Sequence, residues 1–142
     1  MDDNTELLNM IVKTAKMGHN SLLQLVDITD NEAFKSSLRI QLKAYDIIHH
    51  EACVYLQQYG SEAEKQNEMA RVGIYLSIKM KTLADKTTRH IADMLIQGSN
   101  MGIIEITKAL KDFPSAQPDT KALANSFINM QQRNVEELKQ YL

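Results

Sequence analysis

The stretch AYDIIHHEACVYL, residues 44–56, brings Asp46, His49, His50, Glu51 and Cys53 within eight positions. Carboxylates, imidazoles and thiolates are all ligands of transition metals. On a helix, residues three or four apart point to the same side, so Asp46 with His49 can converge on one ion. A built centre needs further ligands at the same level from other elements. The bland alternative is a helix whose polar residues face water, with Asp46 and His50 as an exposed i, i+4 pair. Which applies depends on the elements that position these side chains.

Apolar residues recur at steps of three and four almost throughout, and strict alternation is absent, so the chain is all-α. The spacing predicts helices over about 4–28, 31–59, 68–84, 89–111 and 118–141. The first carries the stripe Leu8, Ile11, Ala15, Gly18, Leu22 and Leu25, and Asp3 with Glu6 forms an acidic capping box. The second carries Leu38, Leu42, Tyr45, His49, Ala52 and Leu56, which turns His49 inward. Asp and Asn in TDN, 29–31, mark a tight turn, and Gly60 supplies a left-handed helix end. Ser61 and Glu64 open a shorter helix with Met69, Val72, Leu76, Met80 and Leu83 along one side. Thr87 or Thr88 caps the next, DFPSAQPD stops it, and the last uses Leu123, Phe127, Met130, Asn134, Leu138 and Tyr141.

The chain's 142 residues are enough for one domain and one core, taken as 1–142. Sixteen Lys and Arg against 18 Asp and Glu give no strong field for nucleic acid or an anionic membrane. A single cysteine, Cys53, fits a reducing compartment. The opening MDDNTELLNMIV lacks the basic-then-apolar order of a signal peptide, and MLIQGSNMGII is too short and polar to span a bilayer. These observations predict a soluble, cytoplasmic protein.

Four long helices of similar length pack side by side as a bundle. A tight turn joins the first pair and another joins the last pair, with nearly thirty residues between. Two antiparallel hairpins joined by a crossover helix resemble the ferritin-like four-helix bundle over the whole chain, in topology rather than in a motif. Helix order and length are similar to those of small uncharacterised bacterial proteins of that superfamily, some spore-coat-associated domains among them. The resemblance implies a place for two metal ions, held by a Glu on each of two helices and Glu-x-x-His on each of the others. Only Asp46-x-x-His49 matches, in shortened form. With the first turn near residue 30, position i faces roughly 60 minus i, so Asp46 and His49 face the stretch 10–14, which has no carboxylate. His19 then falls opposite Gln41, about 12 Å along the axis from His49. The fourth bundle helix offers Gln131-x-x-Asn134, two neutral amides, and Glu105 lies off level. No complete di-metal centre is expected, and no catalytic, cofactor-binding or metal-ligating residue is assigned.

Three other features draw attention. The methionines occur singly at core spacing, as pliable filler. Arg71, Lys79, Lys81, Lys86 and Arg89 outnumber Asp85 between 71 and 90, by default a solvated basic face, with a phosphate or acidic partner at the helix opening DKTTRHI as the alternative. In QGSNMGII, 97–104, Gly98 and Gly102 each cost about 1 kcal/mol inside a helix, which close approach of another helix or a bulky side chain would offset; a ligand lying against exposed backbone is the functional alternative. The crossover topology sets Gly18 and Gly98 at one level with the Tyr45 ring between them, and Gly98→Leu should overpack the centre. The function expected is a structural or interaction role without cofactor, self-associating as a homo-oligomer through a helix face. The alternative is a ferritin-like oxidase or metal-storage protein.

Overall fold

The computed structural model describes residues 2–61 and 85–142. Among them are four helices and no strand: α1 Asp3–Leu25, α2 Glu32–Gln58, α3 Thr88–Asp112 and α4 Pro118–Lys139. They form a four-helix bundle in which α1 packs along α2 and α3 along α4, and α1 also meets α3 and α4. The helix expected over 68–84, its capping box at Ser61 and Glu64, and the basic residues Arg71, Lys79 and Lys81 lie outside the described residues, wholly or in part.

Local chemistry fixes the ends. Asp2 accepts from the Thr5 backbone N–H at 2.7 Å, Asn31 from Phe34 at 2.9 Å and Thr87 from His90 at 3.2 Å, each satisfying an otherwise orphaned donor. The expected box at Asp3 is therefore displaced by one residue. Asp3 is used elsewhere: its Oδ2 accepts from the Ser115 backbone N–H at 2.8 Å, while Asn4 Oδ1 accepts from that of Gln117 at 3.0 Å. The start of α1 thus fastens the turn between α3 and α4. Gly60 ends the second helix with φ 77°, and Pro118 sits in the first turn of α4.

The core runs the length of the bundle, with Leu8, Ile11, Phe34, Leu38, Ile91, Ile106, Phe127 and Leu138 fully enclosed. Edge-to-face packing sets the Tyr45 and Phe127 rings at 89°, with centroids 5.8 Å apart. Further pairs mark which ends meet. The hydroxyls of Thr5 and Ser61 lie 3.3 Å apart, and those of Thr29 and Thr88 3.4 Å. Tyr59 donates to Asp119 at 2.9 Å, and Ser37 to Glu137 at 3.3 Å. Among the described residues no helix is long and apolar enough to cross a membrane.

The glycine expectation holds for one position and fails for another. A Cβ on Gly18 would collide with the Tyr45 ring, whose Cζ lies 2.7 Å from where it would stand. Gly98 meets nothing within 4 Å and is exposed. The close approach on α3 belongs instead to Gly102, where the Gln131 side-chain oxygen fills the missing Cβ's place and Thr14 Cγ2 stands 3.3 Å from it. The reason is angular: four residues advance a helix by 40° beyond a full turn, and that offset carries Gly98 out to the surface. A leucine at Gly98 would therefore point to solvent and would not overpack the centre. Gly98→Ala should raise stability by about 1 kcal/mol, the helix-propensity difference alone, in a urea melt.

Candidate functional site

Asp46, His49, His50, Glu51 and Cys53 all lie on α2, and its spacing spreads them around the helix. Asp46, His50 and Glu51 are exposed; His49 and Cys53 are half-buried. The buried line on α2 is Phe34, Leu38, Gln41, Tyr45, Ile48, Ala52 and Leu56. Ile48 takes the place expected for His49, which corrects the inward reading. A step of three or of four from Tyr45 is equally helical, and the more apolar residue wins the core. His49 ends at the seam between α1 and α2 and makes no hydrogen bond to a described residue.

Asp46 does not pair with His50. Its Oδ1 lies 3.0 Å from His19 Nε2, an ion pair when that imidazole is protonated and a hydrogen bond otherwise. His19 Nδ1 is 3.5 Å from Asn20 Oδ1. The expectation that His19 lies opposite Gln41 is thus overturned: it meets a residue five positions farther along α2. Side chains lean toward the N-terminus of their own helix. From α1 that lean is away from the turn, and from α2 it is toward it, so each α1 residue reaches a partner farther along α2 than equal counting allows. The same lean explains why Gly18 meets Tyr45. This correction was available from the sequence.

His19, Asp46 and His49 therefore share one side of the bundle, with a cation among them. Lys16 stands close to both His49 and Cys53. Burial lowers the His49 pKa below the ordinary 6.5, and Lys16 lowers it further, while Asp46 opposes. Burial also raises the Cys53 thiol, with Lys16 opposing, so the thiolate that would ligate or attack is disfavoured. A lysine beside the would-be ligands repels a cation. Among the described residues no group of three or more His, Cys, Asp or Glu side chains is arranged to hold an ion.

The His49 environment has a consequence for stability. A histidine with a depressed folded pKa takes up its proton more readily when unfolded, so folding loses free energy as pH falls below 6.5 and the loss levels off below the folded value. Stability should be fullest above that pH. His49→Gln should flatten the decline between neutral pH and pH ~5 in urea melts.

The bundle centre, where the resemblance implies metal ligands, is neutral. Tyr45, Ser99, Gln131 and Asn134 are buried there or beside it. Burial raises the Tyr45 phenol above its ordinary 10.0, while the polar Ser99 and Asn134 side chains near it pull it down. Gln131 Nε2 donates to the Phe127 carbonyl at 3.5 Å, and Asn134 Nδ2 to Met130 Sδ at 3.5 Å. Gln41 is buried as well, and its Nε2 has no hydrogen-bond partner among the described residues. Glu105 is tied outward to Lys108 at 3.6 Å. Neutral amides and a phenol above its usual pKa do not make the anionic ligand set of a di-metal centre.

A shallow, open groove of about 530 Å³ on α4, lined by Asn129, Gln132, Arg133, Glu136 and Glu137, gathers none of the candidate ligands named in the sequence. Compared with known proteins, the chain matches no family model, no curated protein and no solved structure.

Proposed function

We propose that the chain is a ferritin-like bundle of bacterial, cytoplasmic type that has a structural or protein-interaction role, self-associates through a helix face, and lacks a complete di-metal centre. Its topology on this reading is two antiparallel hairpins joined through residues 62–84. The end contacts support that order: Thr5 with Ser61, Thr29 with Thr88, Ser37 with Glu137 and Tyr59 with Asp119 each join the start of one helix to the end of its neighbour.

The observation that carries the functional reading is the neutral centre. Tyr45, Ser99, Gln131 and Asn134 stand where carboxylates and histidines would have to converge. Such a centre holds helices in register and offers no Lewis acid site. Elemental analysis of protein purified without added metal tests it. Iron and manganese well below one ion per chain are expected. Near-stoichiometric metal would favour the alternative, a ferritin-like oxidase or metal-storage protein.

A further inference from the structure

Seven large apolar side chains remain exposed among the described residues, and two of them lie on one line of α2. Ile40 is 72% exposed and Ile47 50%. With half-buried Val54 they recur every seven residues, the spacing that keeps one stripe against a partner helix. β-Branched residues are mediocre helix formers, so local structure does not account for them at solvent positions. Lys43 and Glu51 flank Ile47 four residues to either side on the same face. Each is exposed, and neither forms an ion pair with a described residue. They are about 12 Å apart along the axis, too far to satisfy each other well.

This arrangement is self-complementary about Ile47. If a second copy of α2 runs antiparallel across a twofold axis at Ile47, each Lys43 falls opposite the partner's Glu51. Each Ile40 falls opposite the partner's Val54, and the two Ile47 side chains meet on the axis. That is an isologous contact, in which one set of pairs is made twice. A parallel copy in register would instead set Lys43 against Lys43. On α3, Met101 and Ile104 are also exposed, but the charges beside them, Glu105 and Lys108, are already engaged with each other within the helix.

We infer that α2 is a homodimerisation surface, binding a second copy of this chain antiparallel through Ile40, Ile47 and Val54 with Lys43–Glu51 pairs on either side. The inference rests on the self-association reading above and names the face. Sedimentation velocity over a wide concentration range should give a monomer–dimer equilibrium. Ile47→Glu should weaken it at least about thirtyfold, as loss of a central contact does. Because Ile47 is half in solvent already, the thermal melt of the variant should stay cooperative, which separates dissociation from unfolding. Lys43→Glu and Glu51→Lys should each sediment as monomer, and an equimolar mixture of the two should form the heterodimer. Dimerisation unaffected by Ile47→Glu, or single charge variants that dimerise as the original does, would overturn this face while leaving self-association standing. A chain that stays monomeric throughout would overturn both.

Discussion

Gly18→Ala should destabilise the bundle by about 1–3 kcal/mol, although alanine is the better helix former by about 1 kcal/mol. The new methyl would stand where the Tyr45 ring already lies, and that ring cannot swing aside freely. It is only 4% exposed, is packed edge-to-face on Phe127, and carries a phenol beside Ser99 and Asn134. Moving it disturbs all three at once. Tyr45→Ala alone should cost about 3–5 kcal/mol, in line with other large-to-small core changes. In that background the sign of Gly18→Ala should reverse, to a gain of about 1 kcal/mol, because the obstruction is gone and the propensity remains. A double-mutant cycle in urea checks it. Destabilisation of the same size with and without the ring would mean that Gly18 is required for some other reason. Gly102→Ala is the control. The atom in its way is the end of a flexible Gln131 side chain, so its net effect should stay near zero.

The difference between these glycines shows what could be read from the sequence and what could not. Helix spacing placed all four described helices within about three residues of their observed ends, because apolar periodicity, Thr87, Pro118 and Gly60 are local signals. It also led from Gly18 to Tyr45 as a pair. The rotation of each helix was less legible. On α2, steps of three or four from Tyr45 lead to Ile48 or His49, and packing chose the isoleucine. On α3, Gly98 and Gly102 are alike as residues; the helix phase relative to α1 and α4 decides which one is covered. The His19–Asp46 contact was missed for a different reason, since counting from the turn ignores the lean of side chains along their helices. The α2 stripe of Ile40 and Ile47 was equally visible in the sequence. Only exposure distinguishes it from core.

Gln131→Glu should cost about 3 kcal/mol at pH 7, and the cost should fade as the solution is acidified. Gln131 is 1% exposed, and its amide donates to the Phe127 carbonyl. A carboxylate there would lose that donor and face the carbonyl with like polarity, with no cation placed to compensate among the described contacts. Its folded pKa must therefore rise above the unfolded value of about 4.3, and a rise of about two units corresponds to about 2.7 kcal/mol. The sign follows from proton binding: the folded state holds the proton where the unfolded state has released it. Stability thus falls as pH rises from about 4.3, and the full penalty is present above the folded pKa. Urea melts of the original and the variant at several pH values should converge near pH ~4. The same residue tests the metal question. Adding Asn134→His to Gln131→Glu writes Glu-x-x-His into α4, as a di-metal centre would require. With Tyr45 and Ser99 across from it and no group of three or more ligands gathered among the described residues, added Fe(II) or Mn(II) should leave the melt of this double variant unchanged. Rescue of stability by either ion would show that the remaining ligands were in place, and the structural reading of this bundle would give way to the metal-binding one.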